Sequence, residues 1–107
     1  MVEQTQQLNL LFTALSDSTR RSILEHVAQI EMSIGEIAAH YQLTFAGISK
    51  HIKVLERAGL ITKERRGREQ VVIIVPATVD IAREHIERYA MIWGNRFDRL
   101  EALLKEE

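Results

Sequence analysis

The sequence predicts a mainly α-helical chain that carries one small β-hairpin and ends in a long helix. Three observations predict it. Apolar residues recur at helical spacing in four separate stretches. A single β-branched run, Val71 to Val75, follows a Gly67-Arg68 turn. The chain's one proline, Pro76, stands directly after that run and stops it.

The elements follow in order. Leu8, Leu11, Phe12 and Leu15 sit at i, i+3, i+4 and i+7, one face of a first helix. Ser16-Asp17 offers N-cap oxygens to a second helix, Ser18 to Gln29, with Ile23, Leu24, Val27 and Ala28 on one side. Ser33-Ile34-Gly35-Glu36 reads as a capping box, which starts a short third helix from Ile34 to about His40. Tyr41-Gln42-Leu43 has the length of a tight helix-helix turn. Thr44 caps a fourth helix, Phe45 to Ala58, which Gly59 ends as a left-handed cap. Leu60 to Arg66 reads as a strand, Gly67-Arg68 as the turn, and Glu69 to Val75 as the return strand. A last helix runs from Thr78 or Asp80 to about Leu104. A short helix, a three-residue turn and a basic helix joined to a basic hairpin form the winged helix-turn-helix plan.

The 107 residues fit one domain, spanning 1–107, with the first and last helices serving dimerisation. A hydrophobic share of 46% with 27% charged residues is the profile of a folded chain. Cysteine is absent, which excludes disulfides, thiolate metal ligands and a cysteine nucleophile. The N-terminus lacks a signal-peptide pattern, and no apolar run approaches the roughly 20 residues that span a bilayer. A cytoplasmic location with no membrane partner is expected. Nothing in the sequence resembles a catalytic triad, a phosphate-cradling glycine loop or a pair of carboxylates in a cleft, so no enzyme is expected.

Charge is unevenly spread. The overall −1 hides seven cations against two anions between Thr44 and Arg68, a local surplus of five. On the fourth helix Ile48, Ile52 and Leu55 share the inner face, with Phe45 and His51 at its edges. Ala46, Ser49, Lys50, Lys53 and Arg57 share the opposite face. Small side chains at the N-terminal end let a helix enter the major groove of double-stranded DNA closely; Ser49 and Lys50 can bond base edges or phosphates. A solvated charged face is the plain alternative. The preceding short helix and the basic hairpin favour DNA, and with them Thr44, Phe45 and Ala46 at the helix start. Arg65, Arg66 and Arg68 around the hairpin tip suit a neighbouring minor groove or its phosphates, Arg66 and Arg68 foremost. Arg20 and Arg21 stand unfavourably in the first turn of the second helix; an Arg21–Glu25 pair, or a phosphate contact by one of the two arginines, is expected to compensate, the pair foremost.

The last helix places Val79, Ala82, Ile86, Tyr89, Ala90, Trp93, Phe97, Leu100 and Leu104 in one stripe. At about 39 Å it exceeds the roughly 30 Å width of such a globule. Part of the stripe therefore needs a second copy. The expected interface comprises Leu8, Leu11 and Phe12 with Tyr89, Trp93, Phe97 and Leu100. Trp93 reads as an anchor there rather than as a ligand-stacking residue. His26, His40 and His85 read as surface residues, and His51 as a packing or phosphate-bonding one. No cofactor and no metal site is expected.

Three stretches together resemble the ArsR family of bacterial transcriptional repressors: Ala14 to Leu24 (ALSDSTRRSIL), Ile48 to Ile61 (ISKHIKVLERAGLI) and Arg65 to Glu69 (RRGRE). The resemblance implies a homodimer made by the first and last helices, acting as a repressor on a palindromic operator. The sequence departs from metal-sensing members. Ser33 and Gly35 stand where those carry a Cys-x-Cys pair, and Asp80-Ile81-Ala82 where others carry Asp-x-His. The last helix, with Trp93 and the run RFDRLE, resembles a branch not associated with metal sensing. Two other readings stay open: a sensor for a small organic effector held near Trp93, and a module for protein–protein contact alone. The surplus of cations speaks against the latter.

Overall fold

A computed structural model describes residues 2–106. The order is α1 (Val2–Leu15), α2 (Ser18–Gln29), β1 (Met32–Ser33), α3 (Ile34–Tyr41), α4 (Phe45–Arg57), β2 (Ile61–Arg66), β3 (Glu69–Ile74) and α5 (Pro76–Glu106). Five helices and a hairpin wing make a winged helix-turn-helix, mostly helical with a long C-terminal helix.

The caps explain the boundaries. The Asp17 carboxylate accepts the Arg20 backbone N–H at 3.0 Å, and this bond foremost holds its carboxyl below the usual range. The Ser33 hydroxyl accepts from Glu36 N while Glu36 Oε1 accepts from Ser33 N, both at 3.1 Å, closing the expected capping box. At the end of α4, Gly59 adopts φ +77°. Its N–H donates to Glu56 O at 2.9 Å and that of Leu60 to Leu55 O at 3.1 Å, the two bonds of a Schellman turn. A Cβ at Gly59 would sit 3.4 Å from Gln7 and Thr78 side chains in a left-handed conformation, so the position demands glycine. Gln42 (φ 55°) ends α3 in the same region without being glycine.

Three expectations need correcting here. α5 begins at Pro76, not at Thr78 or Asp80, and reaches Glu106; proline lacks only an N–H that the first turn would leave unpaired, so it stops β3 and opens α5 at once. Arg21 does not compensate through Glu25. Arg21 Nη1 donates to Leu15 O at 2.7 Å, while Arg20 donates to Ala14 O at 2.8 Å and Thr13 O at 3.0 Å. Both guanidiniums thus cap the carbonyl end of α1, where cations are favoured. Leu11, expected at a dimer interface, has no accessible surface in the single chain; its side chain belongs to the protomer's own core. Leu8 and Phe12 are half-buried.

The sheet has a strand more than expected. Its order is β1-β3-β2, antiparallel throughout, with Met32 opposite Val72 and Ser33 opposite Val71. The wing pairs Ile61 with Ile74 through to Arg66 with Glu69. The core gathers Leu11, Ile23, Ile37, Ile48, Ile52, Leu55, Leu60 and Val72 from α1 to α4 and the sheet. α5 leaves this body. The molecule measures 68 × 32 × 20 Å with a radius of gyration of 18.5 Å, against about 13 Å for a compact chain of this length.

Candidate nucleic-acid interface

α4 is built to show one face. Ile48, Ile52 and Leu55 fix its inner side in the core, so Ala46, Lys50, Lys53 and Arg57 are exposed and Ser49 half-exposed. Thr44 Oγ1 accepts the Gly47 N–H at 3.0 Å, which satisfies one donor at the helix start. His51 turns to the body instead, with Nδ1 3.4 Å from Arg20 Nη1 and 3.9 Å from Asp17 Oδ2. It braces α4 against the α1–α2 junction.

The wing lies along one flank of α4. Lys63 Nζ reaches Glu56 Oε1 at 3.4 Å, tying the foot of the wing to the end of the helix. At the other end Phe45, 60% exposed, meets Arg68, Glu69 and Gln70 around a notch of about 150 Å³ that Ser33 and Gly35 also line. Of the seven cations in this segment, Lys50, Lys53, Arg57 and Arg68 form no ion pair or hydrogen bond among the described residues. Arg65 Nε donates to Gly67 O at 3.2 Å within the turn. Arg66 does not stand free as the sequence suggested. Its guanidinium is bonded to both Glu31 and Glu64, which holds the Glu31 carboxyl below its ordinary range and raises the arginine's own. Glu31 was missed because nothing in the spacing announces a partner 35 residues away.

The histidines are not all isolated surface residues. His26 is half-buried, its Nδ1 2.9 Å from the Tyr41 hydroxyl and 3.0 Å from Ser22 O, and its ring lies 4.5 Å from that of His40. Ser22 Oγ closes the group at 2.6 Å from the same hydroxyl. The cluster joins α2 to α3, far in sequence but adjacent in the fold.

The second exposed surface is apolar. Tyr89, Trp93, Phe97, Leu100 and Leu104 stand on α5 between 51% and 73% exposed. Towards the body the stripe runs through Val79 and Ala82 into a groove of about 280 Å³ lined also by Leu15, Leu24, Leu60 and Ile74. Among the described residues no helix is long and apolar enough to cross a membrane.

Known proteins share this arrangement. A family model described as a helix-turn-helix domain matches residues 15–64. The transcriptional repressor SdpR of Bacillus subtilis (strain 168) is 38% identical over 60 residues, which cover 56% of this chain and 67% of SdpR. An ArsR-like transcriptional regulator from Rhodococcus sp. RHA1 superposes with a TM-score of 0.83 at 25% identity, over 100% of this chain and 98% of its own. A homodimeric winged helix-turn-helix DNA-binding domain from Mycobacterium bovis superposes with a TM-score of 0.67 at 25% identity, over 85% of this chain and 82% of its own.

Proposed function

The chain belongs to the ArsR family of winged helix-turn-helix transcriptional regulators, and from that premise we propose that it represses transcription as a homodimer on a palindromic operator. That it is a DNA-binding transcriptional regulator and not an enzyme follows from its relatives; the dimer, the repression and the operator's symmetry are the proposal. What carries it is the set of four unpaired cations on α4 and the wing tip, together with a bare apolar helix in the same chain.

In this reading the single domain spans residues 1–107 and works in the cytoplasm. The exposed face of α4 enters the major groove with Thr44, Phe45 and Ala46 leading. Ser49 and Lys50 read base edges; Lys53 and Arg57 hold phosphates. Arg65 and Arg68 bring the wing to the adjacent groove or its phosphates. Leu8, Phe12, Tyr89, Trp93, Phe97 and Leu100 meet their counterparts in the second copy. Two-fold symmetry then presents two α4 helices to half-sites one helical turn apart or a multiple of it. The repressor relative SdpR and the homodimeric Mycobacterium bovis domain support the reading.

Selection of genomic fragments on the purified protein tests it. Enrichment of an inverted repeat supports the proposal, and enrichment of single, unrepeated sites refutes it. Transition-metal sensing is not part of the proposal. There is no cysteine, and among the described residues no three His, Asp or Glu side chains converge on a metal position. Zn²⁺, Ni²⁺, Cd²⁺ or arsenite at low micromolar concentration should leave operator affinity unchanged within about tenfold; a larger loss with the dimer intact would expose a ligand set on this chain.

A further inference from the structure

Arg66 sits on the wrong face for a groove contact. In the register of the wing Arg66 lies opposite Glu69 and Glu64 opposite Val71. Alternation puts these four on one face of the hairpin, and Lys63 and Arg65 on the other, the face whose Lys63 touches Glu56 of α4. Glu31, from the α2–β1 junction, reaches across the Val71 face and closes on the Arg66 guanidinium. Arg66 Nη2 also lies 3.1 Å from Glu64 Oε2 and 3.4 Å from Glu31 Oε1. Val71, on this same face, is buried. One cation between two carboxylates carries a net negative charge, so a phosphate approaching it meets repulsion.

The tip needs bracing. β1 pairs only with Val71 and Val72, so from Arg65 to Gln70 the wing is a two-stranded ribbon with no third strand. Such a ribbon is marginal alone and free to tilt. Lys63–Glu56 holds it from one face, and Arg66–Glu31 from the other.

We propose that Arg66 is a positioning residue: clasped by Glu31 and Glu64, it fixes the tilt of the wing so that Arg65 and Arg68, not Arg66 itself, meet DNA. The proposal rests on the DNA-binding reading above, and its test has an arm that needs no DNA. The full-length protein is used with a fluorescent duplex recovered by selection on the wild type. Arg66→Glu should weaken binding about tenfold and speed amide exchange in residues 63–72. The exchange of Glu31→Arg with Arg66→Glu keeps the oppositely charged pair between positions 31 and 66 and leaves net charge unchanged. It should return affinity to within about twofold of wild type and restore slow exchange in the wing. In a chain lacking both Arg65 and Arg68 side chains, Arg66→Ala should change affinity by less than about twofold. A swapped chain with a slow-exchanging wing but weak binding would show that Arg66 touches DNA itself and overturn the proposal. Unchanged exchange in Arg66→Glu would overturn it without reference to DNA. A wild type that binds no selected duplex would instead refute the DNA reading and leave the exchange arm to judge the clasp.

Discussion

The body and the overhang of this molecule treat apolar side chains in opposite ways. In the body Leu11, Ile23, Ile48, Leu55 and Val72 are shut from solvent, and only scattered apolar side chains such as Ile30 and Phe45 stay exposed among the charged ones. On α5 beyond Ala82 the large apolar residues are themselves the outside. The body's exposed cations cost nothing in water. An exposed apolar stripe is a standing cost that association removes, about 25 cal/mol for each Å² covered. A bare apolar patch of this length marks an interaction surface. One region is finished in the single chain; in the proposed dimer the other is completed by a second copy.

Breaking the overhang should have the largest effect. Leu100→Glu or Trp93→Glu would place a charge in the proposed dimer interface, twice over by symmetry. Each should weaken the dimer by at least about 2 kcal/mol and yield monomers whose body stays helical, seen as a slower boundary in sedimentation with circular dichroism retained. Loss of all helix at once would mean that the body depends on the overhang.

Substitutions on the α4 face come next. Lys50→Ala and Ser49→Ala should each cost about 1–3 kcal/mol on the preferred operator and alter base preference, while sedimentation is unchanged. A competition assay against single-base variants of the operator reads this. Equal weakening on every variant would reassign both residues to the phosphates. Arg68→Ala should do what those do not: weaken all sequences alike and lower the salt dependence by about one unit of slope. An unchanged slope would remove the wing from the interface.

The smallest effect is a gain. Gly94 lies within α5 with open space where a Cβ would stand. Gly94→Ala should stabilise the protein by about 0.5–1 kcal/mol in urea unfolding, from helix propensity alone. A loss instead would show that the second copy packs against this side of the helix.

The body was legible in the sequence where local chemistry sets a boundary. Ser33 with Glu36, Thr44 and Gly59 each announce a cap within four residues of themselves, and all three caps form. The face of α4 followed from spacing alone. What escaped depends on distant partners. A strand of two residues, Met32–Ser33, has no alternation to read. The Arg66–Glu31 pair and the His26–Tyr41 bond join residues 35 and 15 apart. Leu11 and Phe12 share a helix face, and periodicity could not tell which the body would enclose. The overhang was visible as a length, since even the expected helix of about 39 Å cannot lie against so small a core.

Sedimentation equilibrium of the wild-type protein at micromolar concentration, with and without a selected operator duplex, tests the account most directly. Two chains per particle in free solution and two chains on each duplex are predicted. A single chain in solution that binds the duplex one at a time, with no second copy on the apolar helix, would contradict it.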